Sequence, residues 1–252
     1  MKVELINTMG DDLTVVNAAR VSFDKESDWE FNGLYGAEGE GELSEKDQKL
    51  IKYLASHNHW TPFSHVMITM RETVPIFVAR QRFKHMVGFT YNEVSRRYVD
   101  DAPEFFIPDT WRKKADNKKQ GSSDETIEFV DGSLTFYPFA HETENSHMVK
   151  MGYRKAGKYS LKKDYKILLD MCESLYNHML KSGVAPEQAR MVLPQSMYTS
   201  YYTTGSLAAW ARAYKLRSDP NAQKEIQDLA KMWDDVISNI KGLEYSWKVL
   251  TE

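Results

Sequence analysis

Residues 80–98 read RQRFKHMVGFTYNEVSRRY, the densest run of recognition chemistry in this chain. Arg80, Arg82, Lys84, Arg96 and Arg97 bring positive charge, and Glu93 is one embedded carboxylate. Gln81, His85, Asn92 and Ser95 add neutral donors and acceptors. Guanidinium forks suit phosphate oxygens. An amide and a carboxylate can read a base edge or a ribose. Together these types point to a small anionic nucleotide. The competing reading is a solvated helix face. Gln, Lys and His gathered beside an apolar stripe, and followed by a polar NEVSRRY turn, favour a binding site over that alternative.

The elements that must hold this chemistry are also legible. Pro75 stands where a first-turn proline belongs, and PIFVARQRFKHMV follows it. At helical spacing Ile76, Ala79, Phe83 and Val87 share one face. Arg80, Gln81, Lys84 and His85 fan along one flank. Arg82 faces the other flank and reads as a surface charge. Gly88 reads as the helix terminator. Upstream, residues 1–8 read as a strand, and Asp11 or Asp12 caps a helix running to about Val21. Residues 24–43 are acidic and glycine-bearing and read as a surface loop. Ser44 and Asp47 have capping-box spacing ahead of KLIKYLASH. Val66, Ile68 and Met70 alternate with polar neighbours, as in a strand.

Downstream, residues 111–126 read as a lysine-rich mobile excursion, and a hairpin around Asp131-Gly132 is expected within 127–150. A long helix is expected over 160–181, closed by Gly183. Pro186 starts a short helix that Pro194 stops. MYTSYYTT is β-prone. Ser206 can cap SLAAWARAYKLR, and Asp219-Pro220 can open AQKEIQDLAKMWDDVISNIK. Helices interspersed with a few strands indicate an α+β class.

The segment opening this section resembles the signature of the flavin-dependent thymidylate synthases: Arg-His-Arg, a spacer, then Ser, usually continuing as NExSxRY. The flanks VPIFVARQ and YNEVSRRY match closely. The centre departs, with Lys84-His85-Met86 in place of Arg-His-Arg and eight residues rather than seven between Met86 and Ser95. Lysine keeps the first charge without the fork, and methionine drops the second. MGDDLTVVNAARVSFD, LIKYLASHNHWTPFSH, SGVAPEQARMVLPQSMYTSYYTT and LRSDPNAQKEI are similar, in order, to further family segments. The region from about Trp111 to Gly157 has no family counterpart.

The resemblance implies a ThyX-like fold, with helices around a central, mostly antiparallel sheet. It implies a single domain over residues 1–252, assembled as a homotetramer with sites at subunit interfaces. The implied reaction makes dTMP from dUMP. Methylenetetrahydrofolate donates the one-carbon unit, and FAD reduced by NADPH supplies the hydride. Matching positions for dUMP are Gln81, Lys84, Glu93, Val94, Ser95, Arg97, Arg190 and Arg217. Those for FAD are Ser22, His59, Thr61, Lys84, His85, Met86, Asn92, Ser206, Arg212 and Asn221. The implied catalytic residues are Arg217 and His59. A cation at Arg217 would stabilise charge developing on the pyrimidine as C5 becomes nucleophilic. Its alternative role is a helix C-terminal cation satisfying the last carbonyls. Arg97 and Arg190 are the implied phosphate clamps. Ser95 has no adjacent His or Lys to deprotonate it and reads as a ligand contact. Ser64 stands where the family often has Glu. Ser206, Arg212 and Asn221 stand where Asn, Asn and His are common.

Composition narrows the partners. The 252-residue chain can bury a full core, and 42% hydrophobic with 27% charged residues is ordinary for a soluble globular protein. A formal charge of −3 disfavours a bulk nucleic-acid partner, so the anion-binding charge must be local. No apolar run reaches ~18 residues, so no membrane span is expected. KVELINT after Met1 reads as a strand and not as a signal peptide. The one cysteine, Cys172, excludes an internal disulfide and suits a reducing cytoplasm. Its spacing puts it on the buried stripe of a helix that includes Leu161, Tyr165, Leu168, Leu169, Leu175, Tyr176 and Met179. The other class of thymidylate synthase depends on a cysteine nucleophile, and this chain offers no good candidate.

Two rival functions follow from the same residues. His57, His59 and His65 could serve a metal-dependent nucleotide hydrolase, but no Asp or Glu lies among them, and no metal is expected. The departures at Met86 and Ser64 fit a catalytically decayed nucleotide- or flavin-binding protein. No GxGxxG follows a strand, so no dinucleotide-binding Rossmann unit is expected.

Overall fold

The computed structural model describes residues 1–31, 41–99, 101–115, 122–132 and 157–252. The centre of the 24–43 loop, most of the 127–150 interval and much of the region without family counterpart lie outside the described residues. In chain order the elements begin β1 (Lys2–Met9), α1 (Asp12–Arg20), α2 (Glu45–Ser56), β2 (Met67–Pro75), α3 (Ile76–Arg82) and β3 (Phe89–Glu93). They continue with β4 (Trp111–Lys114), β5 (Ser122–Ile127), β6 (Phe129–Gly132), β7 (Gly157–Ser160), α4 (Leu161–Lys181) and α5 (Pro186–Ala189). The last are β8 (Tyr198–Ser206), α6 (Leu207–Arg217), α7 (Lys224–Ile237) and α8 (Glu244–Thr251). They fall into two compact units.

The first unit holds β1–β3, β8, α1–α3 and α6–α8. Its sheet has the order β1-β2-β8-β3, and every neighbouring pair is antiparallel. The chain is thus a mixture of helices and antiparallel sheet. Period-two patterning explains β2. Ile68, Met70 and Val74 are fully buried, while Arg71 between them is exposed. The buried face of the sheet meets Val15, Ile51, Phe63, Trp210, Leu229 and Trp233 in one core. Trp210 and Trp233 meet edge to face with centroids 5.6 Å apart.

Three expected N-caps hold. Asp11 accepts from the Thr14 amide at 2.7 Å while Thr14 Oγ1 accepts from the Asp11 amide, a complete capping box for α1. Ser44 and Ser206 cap α2 and α6. The buried Asp12 accepts from the amides of Tyr245 and Ser246, closing the N-terminus of α8 from 233 residues away. Burial pushes its carboxyl up to about 6 despite those bonds.

Five expectations in this unit need correction. The α3 helix ends at Arg82, not at Gly88, and Pro75 is its N-cap residue. Its inward face is Val78, Ala79 and Arg82, whereas Val87 is 73% exposed. Arg82 is therefore no surface charge but is fully buried, because Glu72 on β2 pairs with it. The α7 helix opens at Lys224 with Gln223 as N-cap residue, because Asp219 instead turns back to accept from the Asn221 amide.

The second unit holds β4–β7, α4 and α5. The expected excursion at 111–126 carries an antiparallel pair, β4 with β5. Asp131-Gly132 is not a turn but the end of β6, which pairs with β7. The α4 helix spans the expected residues, and Gly183 follows it at φ +84°. Its buried positions are Asp164, Leu169 and Tyr176. Cys172 is only half-buried and Leu168 is 43% exposed, so the stripe is narrower than the spacing implied.

Candidate active site

Two elements distant in sequence meet at the C-terminal end of α3. Arg217, the last residue of α6, sends Nε to His85 Nε2 at 2.8 Å and Nη2 to the Gln81 carbonyl at 3.3 Å. The arginine thus caps another helix and not its own. His85 is 8% exposed, the single buried residue between Lys84 and Gly88. Because Nε2 accepts, the ring is neutral with its proton on Nδ1. Burial, reinforced by the Arg217, Arg82 and Arg212 charges, holds its pKa down to about 4. Burial, with Arg82 nearby, also draws Arg217 below its ordinary value. The Gln81 side chain donates to Gln223 at 2.5 Å, and Gln223 donates to Glu225 at 2.8 Å.

Behind this meeting point sits Arg82. Its Nε donates to Glu72 at 3.1 Å, Nη1 to the Tyr91 hydroxyl at 2.5 Å and Nη2 to Thr203 at 3.3 Å. Tyr201 donates to the other Glu72 oxygen at 2.6 Å. Phe89, Trp210, Trp233 and Tyr91 surround the guanidinium, with ring centroids 4.3 to 5.1 Å from its central carbon. A buried charge persists only when paired and hydrogen-bonded, and this one meets both conditions.

A cavity of 420 Å³ opens beside the 83–88 segment. His59, Trp60 and Ser64 line it from the turn after α2, Val87 and Gly88 from the segment, and Ser206, Arg212 and Lys215 from α6 and its cap. Leu54, Phe63, Val249 and Leu250 give it apolar walls. Gly88 has φ +80°, and a Cβ there would lie 2.8 Å from that of Ala209, so no other residue fits without strain. Arg212 donates to the Val87 carbonyl at 2.5 Å, and the Ser206 amide donates to the Gly88 carbonyl at 3.1 Å. The segment is therefore laced to the start of α6.

Of the expected flavin positions, His59, Ser206 and Arg212 converge on this cavity. Lys84 and Met86 flank His85 and are exposed. Ser22 lies in the turn after α1, Thr61 precedes a short turn at Pro62–Ser64, and Asn221 is held by Asp219; all three are exposed. Asn92 is exposed on β3.

Of the expected nucleotide positions, Gln81 and Arg217 meet as described. Glu93 closes β3 and accepts from Thr199 at 2.7 Å. Ser95 accepts from Arg97 Nε at 3.2 Å, and Arg97 lies over Tyr98. Val94 is 45% exposed. Arg190 belongs to the second unit, where it follows α5 and is exposed.

The sequence reading missed Arg82, Tyr91, Gln223, Trp60 and Lys215. Gln223 inside LRSDPNAQKEI, Tyr91 inside YNEVSRRY and Trp60 inside LIKYLASHNHWTPFSH each carried a motif signal, whereas Arg82 and Lys215 lie outside those segments. Among the described residues no three His, Cys, Asp or Glu side chains gather to hold a metal ion, and the ring centroids of His57 and His59 are 6.2 Å apart. No helix among them is long and apolar enough to cross a membrane.

Known proteins share this arrangement of chain. The family model described as thymidylate synthase complementing protein matches residues 4–240. A flavin-dependent thymidylate synthase of Thermosipho africanus is 36% identical over 228 residues, covering 90% of this chain and 82% of that one. One from Thermus thermophilus is 33% identical over 251 residues, covering 99% and 75%. A crystal structure of the UMP/dUMP methylase PolB from Streptomyces cacaoi, bound with 5-Br dUMP, is similar with a TM-score of 0.68 at 25% identity, covering 99% of this chain and 94% of that one. Antiparallel sheet, site segments and relatives agree: the chain belongs to the flavin-dependent thymidylate synthase family.

Proposed function

We propose that this protein converts dUMP to dTMP, with methylenetetrahydrofolate as one-carbon donor and FAD, reduced by NADPH, as cofactor. One observation carries the reading. Arg217 is brought from the end of α6 to the Gln81 carbonyl and the His85 ring, inside the segment whose residues suit a nucleotide. Its Nη1 group keeps N–H donors beyond those two bonds, enough to face a pyrimidine carbonyl. There the fixed cation stabilises the negative charge that develops on the ring as C5 becomes nucleophilic. Gln81 contributes through its backbone and its Gln223-bound amide. Ser95 and Arg97 serve the phosphate, and Arg190 is assigned to it by the family resemblance alone.

The cavity suits an isoalloxazine, a flat ring system with apolar faces and a polar edge. Leu54, Phe63, Val249 and Leu250 match the faces, and His59, Ser64, Ser206, Arg212 and Lys215 match the edge. When bound, the reduced flavin supplies the hydride that turns the transferred carbon into a methyl group. The protein's own part is positioning and electrostatics, with Val87 and Gly88 lining the cavity and the expected contacts Lys84, His85 and Met86 preceding them in the same segment. Flavin also removes the need for a cysteine nucleophile, consistent with Cys172 lying on α4 with its thiol pKa raised by burial. We extend the reading to a single functional domain, a homotetramer with sites shared between subunits, and a reducing cytoplasm.

The test is dTMP formation from dUMP, methylenetetrahydrofolate and NADPH, with and without added FAD. A yellow protein that forms dTMP supports the proposal. A yellow protein that oxidises NADPH without forming dTMP marks a decayed enzyme. A colourless metalloprotein marks a hydrolase.

A further inference from the structure

The segment that carries Lys84, His85 and Met86 continues from α3 by turn bonds, the Lys84 amide to the Gln81 carbonyl at 3.3 Å and the His85 amide to the Arg82 carbonyl at 3.1 Å. Lys84, Met86, Val87 and Gly88 are exposed, and α3 has already ended at Arg82. Something outside the segment must fix the His85 ring for Arg217 to find it. The Tyr91 hydroxyl reaches the backbone of the segment from β3. Its one proton goes to the His85 carbonyl at 2.7 Å, with the Arg82 carbonyl 3.3 Å away as a weaker second branch, while it accepts from Arg82 Nη1 at 2.5 Å.

Tyr91 is itself held firmly. Its backbone pairs with Thr203 of β8, and its ring meets Phe83 edge-on at 5.0 Å. Arg82 beneath it is gripped by Glu72, Thr203 and four aromatic rings, so the hydroxyl is anchored to a fully buried, multiply bonded polar cluster of the core. Burial raises the phenol to about 12, which keeps it a donor at all working pH values.

We propose that Tyr91 is a positioning residue: its hydroxyl transmits the fixed geometry of the Glu72–Arg82 pair through the His85 backbone to the His85 ring, and thereby aims Arg217 at the nucleotide. This rests on the thymidylate-synthase reading for the identity of the nucleotide, dUMP, but not for the geometry. A hydroxyl acting only as core packing would stabilise the fold without sensing Arg217. A hydroxyl acting through His85 must lose its effect on nucleotide binding once Arg217 is gone.

The experiment is a double-mutant cycle on the FAD-loaded protein, read as dUMP affinity by calorimetry. Tyr91→Phe is expected to weaken dUMP binding about tenfold in the native background, and less than twofold in Arg217→Gln, the signature of coupled groups. Equal effects in both backgrounds overturn the proposal. Should Tyr91→Phe fail to fold, the same cycle with His85→Leu and His85→Gln tests the next link. His85→Leu is then expected to couple to Arg217, and His85→Gln, which keeps an acceptor, to restore affinity; additivity overturns it. A crystal structure of Tyr91→Phe reads the geometry whatever the protein binds. Displacement of the His85 ring and loss of its bond to Arg217 are expected, and an unmoved pair overturns the proposal. A wild-type protein that forms no dTMP would count against the synthase reading alone.

Discussion

Glu72 and Arg82 form an ion pair at 3.1 Å in which neither side chain has any exposed surface. It lies directly behind the residues that meet Arg217, and the strand β2 and helix α3 that carry the two partners are adjacent in sequence. Glu72→Gln removes the counter-charge and leaves a buried guanidinium without a partner ion. It should cost about 3–5 kcal/mol, seen as a lower urea midpoint. Replacing both partners, Glu72→Leu with Arg82→Met, should recover most of that loss, because desolvating two charges is itself costly. A double variant as unstable as the single one contradicts this account.

Arg217→Ala should lower kcat/KM for dTMP formation by about 10²–10³-fold, the usual loss for one preorganised electrostatic donor. Stability should fall by only about 1 kcal/mol, since the His85 acceptor loses a partner near a partly open surface. Steady-state kinetics with matched flavin content separates the two effects. Unchanged turnover would remove Arg217 from the reaction.

Gly88→Ala forces a side chain into φ +80° and against Ala209. The expected cost is about 1–3 kcal/mol, together with weaker flavin retention, because the same residue lines the cavity. Flavin absorbance after gel filtration and the melting temperature check both parts. Full retention would show that the segment does not shape the flavin site.

Two buried groups give stability opposite slopes with pH. The folded pKa of His85 lies at about 4, below its ordinary 6.5, so its share of stability is complete above 6.5 and is lost as pH falls toward 4. Asp12 is the reverse: its folded pKa of about 6 lies above 3.8, so stability falls as pH rises from 3.8 to 6. Asp12→Asn should therefore enlarge the stability gained between pH 4 and 6.5, by on the order of 2 kcal/mol. His85→Gln should shrink it. Urea midpoints across that range test both, and a shift in the wrong direction for either variant refutes the assignment.

Much of the scaffold was legible because its signals are local. Asp11 with Thr14, Ser44 with Asp47, and Ser206 with Ala209 each cap a helix within four residues, and Gly183 turns the chain out of α4. The alternation of Val66, Ile68 and Met70 fixed which face of β2 turns inward. The family resemblance placed His59, Ser206 and Arg212 among flavin contacts, and these three meet at one cavity. The extent of α3 was misjudged because nothing in KHMVG forbids helix; tertiary bonds from Arg212, Ser206 and Tyr91 to three of its carbonyls draw it out of helical form.

What the amino-acid order alone determined was chemistry and local shape: which residues could hold an anion, where helices begin, and which family the motifs resemble. What only the folded chain decided was the fate of charge. Arg82 and Arg217 are the same side chain in the same kind of position, near the end of a short helix. One is sealed among Glu72 and four rings, and the other is left half-open beside His85. Arg217 meets His85 and Gln81 from more than one hundred residues away, and Thr203, Trp210 and Trp233 reach Arg82 from as far; residue spacing along a helix carries no information about such partners.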